Sequence, residues 1–277
     1  MSKKNQSTRL SSQQKETGGV EWIFDKQAKM HDVAVHEVSK IVLDILSRKY
    51  PNLQFRYRES VSKKEINAYL NSIDPNLGLT LFVDNAEIKP DGGIIEVLDD
   101  SGKWRIVLVS EAKHQGKDIE NIRNGILVGK NNDQDLMVAG NAIERAHKNI
   151  SEIANFMLGE NHFPYILFLK GSNFLTMDVR IERPDGRVVI LKYDAGSLNR
   201  LDRLTAANYG MPINTNLCKN KFIPHEDKMI MLQATTIYTQ PTGDDWEEEE
   251  MTKIMVDVAE TSLQILATDL FKQLMKR

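Results

Sequence analysis

Cysteine is almost missing from this sequence, because Cys218 is the only one among its 277 residues. A single thiol cannot form a disulfide within the chain, so a fold held together by disulfides is excluded, and we expect Cys218 to be a small packed residue in a reducing cytoplasm. Uninterrupted apolar segments long enough to cross a bilayer are also missing, and the first ten residues, MSKKNQSTRL, contain no apolar core typical of a secretory signal. These absences predict a cytoplasmic protein without a membrane segment.

The chain has no excess of positive charge, since 36 Lys and Arg residues stand against 39 Asp and Glu residues and the formal net charge is −3. A uniformly basic surface is therefore excluded, although a local one is not. Basic residues outnumber acidic ones in residues 1–18 and 180–203, whereas residues 244–250 hold six carboxylates. This separation favours a basic cleft on an otherwise acidic body; solvated faces without a function are the alternative.

Neither an internal repeat nor a linker-like segment divides the chain. Residues 1–18 are polar and end in Gly18-Gly19, so we expect a disordered arm there and a single domain over residues 19–277. Apolar residues recur at helical spacing over residues 35–46, 141–157, 197–208 and 252–276, and Ser62 with Glu65 forms a capping box before another helix. Strand patterns occupy residues 79–83, 94–98, 104–109, 163–169, 179–181, 188–191 and 229–239. Alternating helices and strands predict an α/β fold.

One predicted hairpin brings charged residues of opposite sign together. If its turn is centred near Ser101, the numbers of cross-strand partners sum to about 202, which places Asp91 opposite Glu111 to within one residue. Because side chains alternate along a strand, Glu111 and Lys113 face the same way while Ala112 points into the protein. The spacing predicts two carboxylates and one ammonium group converging at an edge of the sheet.

Such a cluster fits the hydrolysis of a phosphodiester. Mg²⁺ prefers oxygen ligands, so Asp91 and Glu111 are the candidate metal ligands, with the carbonyl of Ser110 or Ala112 as a possible further oxygen. Lys113 could orient the attacking water or stabilise developing charge. These residue types therefore indicate a magnesium-dependent nuclease with Asp91, Glu111 and Lys113 as catalytic residues. The alternative is a structural hairpin whose Glu-x-Lys is a solvated strand face.

Pro90-Asp91 together with Glu111-Ala112-Lys113 resembles the signature of the PD-(D/E)xK nuclease superfamily. Longer segments resemble the EcoRI type of type II restriction endonucleases: FRYRES, IKPDGG, SEAKHQGKDIENIRNG, GNAIERAHKNISEIANFML, GSNFLT, RPDGRVV and LNRLDRLTAANYGMPIN. The resemblance implies a central mixed β-sheet flanked by helices, with arm-like extensions. It also implies a Mg²⁺-dependent homodimer that cuts double-stranded DNA at the palindrome GAATTC, with a staggered cut after G that leaves 5′-phosphates, and a DNA methyltransferase in the same system.

The resemblance also implies which residues recognise DNA bases: Gln115, Met137, Val138, Ala139, Gly140, Asn141, Ala142, Arg145, Arg200 and Arg203. Glu144 would buttress Arg145 or reach across the dimer. Val138 departs from the family pattern, in which we expect Ala, and this puts the apolar contact to the outer pyrimidine in doubt.

Side-chain chemistry agrees with part of this assignment, because Asn can bind adenine and Arg can bind guanine with two hydrogen bonds. Without the resemblance, Asn141 would be a helix cap, and Arg200 with Arg203 an exposed helix face. Further side chains are candidates for contacts with the DNA backbone: Lys89, Lys117, Arg123, Lys130, Lys148 and Asn149.

Two other functions use similar features. A DNA-binding protein that does not cut would need the basic segments alone, and repair or junction nucleases contain the same catalytic hairpin. The intact acidic pair with its lysine favours an enzyme.

Overall fold

A five-stranded mixed sheet forms the centre of the computed structural model, which describes residues 26–79, 82–83, 85–125, 140–193 and 195–275. Its strands are β1 (Phe55–Arg58), β4 (Gly93–Leu98), β5 (Trp104–His114), β6 (Tyr165–Lys170) and β11 (Thr236–Thr239), in the spatial order β1-β4-β5-β6-β11. The β1–β4 and β4–β5 pairs are antiparallel, whereas β5–β6 and β6–β11 are parallel. The α/β class and the central mixed sheet are thus confirmed.

Short pairs of strands surround this sheet. They are β2 (Val61–Ser62) with β3 (Glu87–Ile88), β7 (Val179–Glu182) with β8 (Val188–Leu191), and β9 (Lys221–His225) with β10 (Lys228–Leu232). The β7–β8 hairpin turns at Pro184-Asp185-Gly186, as its sequence predicts, and packs against a short helix through Val179 and Ile181.

Helices cover both faces of the central sheet. They are α1 (Lys26–Lys49), α2 (Lys63–Ile73), α3 (Asp118–Arg123), α4 (Gly140–Phe156), α5 (Ala195–Thr205) and α6 (Glu248–Met275). On one face α1 and α6 pack on Ile166 and Phe168 of β6, and on the other α4 packs on Leu167 and Leu169. Because both faces are covered, β6 is buried along its whole length, which explains its uninterrupted apolar sequence.

Local sequence signals set several boundaries. The Ser62 side chain accepts a hydrogen bond from the Glu65 amide, and the Glu65 carboxylate accepts one from the Ser62 amide, so the expected capping box begins α2. Helix α1 ends at Lys49, directly before Tyr50-Pro51. Cys218 is buried and has no disulfide partner, as expected.

Two strand predictions were wrong. Leu79, Phe82 and Val83 were expected in a strand, but they are exposed and lie outside any strand. The apolar run at residues 229–239 was expected to be one strand, but residues 233–235 interrupt it: β10 pairs with β9 in a separate hairpin, whereas β11 joins the central sheet. Apolar composition alone does not distinguish an exposed segment from a buried one.

The expected arm at residues 1–18 lies outside the described residues. No helix within the described part of the chain combines the length and the apolar character needed to cross a membrane.

The capping box provides a test of the fold. Ser62→Ala removes the side-chain acceptor of the first turn of α2, and we expect it to lower the free energy of unfolding by about 1 kcal/mol, which corresponds to a fall in Tm of about 2–4 °C. Ser72→Ala on the same helix is the control, because the exposed Ser72 hydroxyl bonds only the Tyr69 carbonyl one turn earlier. Equal Tm values for the two variants, measured by thermal denaturation, would contradict the capping role.

Candidate active site

Strand pairing places Asp91 beside the end of β5. The pairs Gly93↔Ser110 and Ile94↔Val109 sum to 203, and a register shift between Ile95 and Glu96 reduces the sum to 202 nearer the turn. The predicted register was therefore correct to within one residue. The Gly92 amide donates to the Ser110 carbonyl at 2.9 Å, and Asp91 Oδ2 accepts a hydrogen bond from the Ala112 amide at 3.3 Å.

Glu111 is held by two residues from other elements. Asn149 of α4 donates from Nδ2 to Glu111 Oε1 and Oε2 at 3.1 and 3.0 Å, and the Tyr165 hydroxyl of β6 donates to Oε2 at 2.7 Å. The Glu111 carboxylate is only 1% exposed. Burial raises the pKa of Glu111, an effect that the Lys113 ammonium opposes and the Asp91 carboxylate reinforces. The buried carboxylate therefore needs positive charge nearby.

Lys113 supplies that charge. Its Nζ lies 2.8 Å from Asp91 Oδ2 and 2.5 Å from Glu111 Oε1, and it also donates to the Ala112 carbonyl at 2.7 Å. Burial by itself lowers the pKa of the Lys113 ammonium, but the carboxylates of Glu111 and Asp91 outweigh this effect and hold that pKa above its usual value. Lys113 therefore remains protonated at neutral pH and is a hydrogen-bond donor.

The position of this cluster corrects one expectation. The three side chains meet as predicted, but at the C-terminal end of β5, which lies in the middle of the sheet between β4 and β6 and not at its edge. The predicted inward orientation of Ala112 is confirmed, since it packs in the apolar core formed with α1 and α6. The backbone carbonyls proposed as further ligands are both engaged: Ser110 with the Gly92 amide and Ala112 with Lys113.

The donor atoms fit a hard divalent cation. Asp91 and Glu111 offer carboxylate oxygens around a point that attracts a cation, as the Lys113 ammonium between them demonstrates. Within the described residues no three His, Cys, Asp or Glu side chains form a complete metal-binding group. Two carboxylates completed by water and phosphate oxygens are typical of Mg²⁺ sites in enzymes that act on phosphates.

The two residues that hold Glu111 were not predicted for this role. The sequence predicts a contact of Asn149 with the DNA backbone, and it predicts Tyr165 only as part of an apolar strand. A buried tyrosine hydroxyl usually requires a hydrogen-bond partner, which is the one signal in the sequence that could have indicated Tyr165. Sequence spacing gives no comparable signal for Asn149.

The expected recognition residues are only partly described. Lys130, Met137, Val138 and Ala139 lie outside the described residues, and Gly140 begins α4, where the side chains of Asn141 and Ala142 are not described. Glu144 and Arg145 are exposed on the first turns of α4, Arg203 is exposed on α5 and Arg200 is half-buried there. His147 of α4 forms a hydrogen bond between its Nε2 and the Arg203 carbonyl at 2.7 Å, so the two helices are joined.

Gln115 and the expected backbone contacts are dispersed around the site. Gln115 follows β5 and is 3% exposed, and its Oε1 has no hydrogen-bond partner among the described residues. Lys89 pairs with Glu59 at 2.7 Å and Arg123 with Asp244 at 3.4 Å, both at exposed positions. Lys148 is exposed on α4, and Lys117 precedes α3.

Comparisons with known proteins identify the family of the chain. The family model described as restriction endonuclease EcoRI matches residues 17–273. The chain is 67% identical over 274 residues to the type II restriction enzyme EcoRI of Escherichia coli, covering 99% of both proteins. It is 49% identical over 267 residues to the type II restriction enzyme RsrI of Cereibacter sphaeroides, covering 96% of both.

Close packing around Gly92 keeps Asp91 in position and can be tested. A Cβ atom at Gly92 would lie 2.2 Å from Ser110 Oγ and 2.7 Å from Val35 Cγ1, which is too close for either. We expect Gly92→Ala to lower the free energy of unfolding by about 1–3 kcal/mol. Chemical denaturation measures this loss, which should be smaller in a Ser110→Gly background because the nearest obstructing atom is then absent. An unchanged midpoint for Gly92→Ala would contradict the packing argument.

Proposed function

The chain belongs to the EcoRI family of restriction endonucleases, and we propose that it hydrolyses both strands of the DNA palindrome GAATTC after G, with Mg²⁺ as its cofactor, leaving 5′-phosphates. It is a type II restriction enzyme, a site-specific deoxyribonuclease. Enzymes of this family use a divalent metal ion. The observation that carries the proposal is the meeting of Asp91, Glu111 and Lys113 at the end of β5.

Each residue of the cluster has a distinct part in the proposed reaction. Bound Mg²⁺ supplies neutralisation of phosphate charge and acidification of water. Asp91 and Glu111 hold the ion, and Asn149 with Tyr165 fixes the orientation of the Glu111 carboxylate by three hydrogen bonds. Lys113 lies beside both carboxylates, where its ammonium group can donate hydrogen bonds to phosphate oxygens or to the attacking water.

Recognition of the bases belongs to Gln115 after β5, to residues near the start of α4 and to two arginines of α5. We assign it to Gln115, Met137, Val138, Ala139, Gly140, Asn141, Ala142, Arg145, Arg200 and Arg203, with Glu144 supporting Arg145. The hydrogen bond between His147 and the Arg203 carbonyl supports this assignment, because it holds the two helices in a fixed relation. Asn149 and Arg145 belong to the same helix, α4. This helix therefore contains both a residue assigned to base recognition and the residue that donates to the proposed metal ligand Glu111.

Contacts with the DNA backbone are assigned to Lys89, Lys117, Arg123, Lys130 and Lys148, and Asn149 is reassigned from the backbone to Glu111.

A palindromic target requires two copies related by a two-fold axis, so the active form is a homodimer. An enzyme of this specificity also requires a DNA methyltransferase that protects the host sequence. It acts in the cytoplasm, where the buried thiol of Cys218 stays reduced.

Removal of one metal ligand tests the reaction. Glu111→Gln keeps the size of the side chain but loses its charge, so we expect the rate of plasmid cleavage in Mg²⁺ to fall at least about a thousandfold. Binding of a GAATTC duplex without divalent ions, measured by gel shift, should remain. Glu37→Gln on the exposed face of α1 is the control. Cleavage by Glu111→Gln at the wild-type rate would exclude this metal site, and wild-type cleavage without a divalent ion would exclude metal catalysis.

Specificity is tested at Arg200. Lysine keeps the charge but loses the planar pair of donors that binds guanine, so Arg200→Lys should reduce discrimination against a changed outer base pair by about tenfold. The ratio of cleavage rates on GAATTC and on a duplex with one outer substitution measures this effect. Arg48→Lys, at an exposed position on α1, is the matched control. An unchanged ratio for Arg200→Lys would remove Arg200 from the guanine contact.

A further inference from the structure

Helix α1 runs alongside the catalytic strand in the opposite direction. Ser39 Oγ lies 2.8 Å from Ser110 Oγ of β5, in a buried contact. One turn earlier, Val35 packs beside Gly92, and one further turn earlier His31 Nε2 lies 3.3 Å from the Phe168 carbonyl. Phe168 pairs with Ala112, so the N-terminal part of α1 reaches the end of β5 where the candidate metal ligands lie.

Helical geometry places Asp32 at this end. Asp32 precedes Ser39 by seven residues, nearly two full turns, so both lie on the same stripe of α1, about 10 Å apart along its axis. The same distance along a strand is about three residues, which leads from Ser110 to Lys113. Asp32 is half-buried, and no hydrogen bond or ion pair engages its carboxylate among the described residues.

The charges around Asp32 are mainly of its own sign. Burial raises the pKa of Asp32 to about 7, with the Asp91 carboxylate as the next largest cause and Glu111 adding to it, while the Lys113 ammonium opposes the rise. On α1 itself the neighbouring His31 has its pKa lowered to about 4 by burial and supplies no positive charge at neutral pH. A third carboxylate is thus held near two others without a cation of its own.

We propose that Asp32 is a positioning residue of the catalytic centre, which binds water in the hydration shell of the metal ion held by Asp91 and Glu111. The inference rests on the proposed function. Mg²⁺ keeps several water ligands when it binds to one or two carboxylates, and outer carboxylates that bind such water orient it and strengthen metal binding. Asp32 would also be relieved of its repulsion by the added positive charge.

Asp32→Asn tests the proposal, because it preserves shape and removes charge. With enzyme in excess and a single turnover, we expect cleavage of a GAATTC duplex at a fixed low Mg²⁺ concentration to slow about 10–100-fold, and the Mg²⁺ concentration for half-maximal rate to rise by a similar factor. Duplex binding without divalent ions should stay unchanged. Asp32→Glu should restore part of the loss, and Asp44→Asn, at an exposed position on the same helix, is the matched control.

A second readout does not depend on activity. For an Asp with a raised pKa in the folded state, stability is lost as pH rises from the usual value of 3.8 to about 7. In metal-free protein, the Tm of Asp32→Asn should therefore exceed that of the wild type by a margin that grows up to about pH 7 and then levels off. Adding Mn²⁺, whose binding is followed through the magnetic resonance signal of the free ion, should show weaker binding to Asp32→Asn.

The outcomes separate the two proposals. A wild-type protein that cuts no GAATTC duplex overturns the proposed function. A wild type that cuts, together with an Asp32→Asn variant that matches Asp44→Asn in rate, Mg²⁺ dependence and Mn²⁺ binding, overturns the role of Asp32 alone. Slow cleavage with unchanged Mg²⁺ and Mn²⁺ dependence also overturns it, because the effect would then be structural.

Discussion

The contact of one ammonium group with two carboxylates organises the catalytic end of the molecule. Lys113 and Glu111 extend from the same strand, and Asp91 reaches them from the turn before β4. Burying Glu111 without positive charge would be costly, and the Lys113 ammonium between the two acids supplies that charge. The same electrostatic demand makes the site attractive to a divalent ion. The arrangement of these charges in the folded structure therefore favours the binding of a cation.

The mixed sheet explains how this contact is connected to the helix that adjoins the proposed base-reading residues. Strand β4 pairs antiparallel with β5, so the turn before β4 places Asp91 beside the end of β5. Strand β6 pairs parallel with β5, and its Tyr165 hydroxyl donates to Glu111 Oε2. Helix α4 packs over this face and adds Asn149, and the same helix begins next to the proposed base-reading segment. Because Asn149 donates to both Glu111 oxygens, the helix that adjoins the proposed base-reading segment also orients the Glu111 carboxylate.

Sequence alone predicted the parts of the structure that depend on neighbouring residues. The capping box at Ser62, the buried strand β6 and the hairpin register near Asp91 follow from local spacing, and each is present. Interactions between distant segments were not predictable in this way. Asn149 reaches Glu111 through the packing of α4 on the sheet, and nothing in its local sequence indicates which strand lies beneath it. The wrong strand at residues 229–239 has the same cause, because its first half pairs with β9 in an exposed hairpin and its second half is buried beside β6, and neither neighbour can be read from the local sequence.

The position of the metal ion is the most direct test of the account. Anomalous diffraction from a crystal that contains the enzyme, Mn²⁺ and a GAATTC duplex with a non-hydrolysable phosphate would locate the ion without reference to activity. The account predicts a peak bound by both Asp91 and Glu111, about 2 Å from their oxygens, with Lys113 displaced from between them. A peak at another group of residues, or Lys113 still bridging the two carboxylates beside the bound duplex, would contradict it.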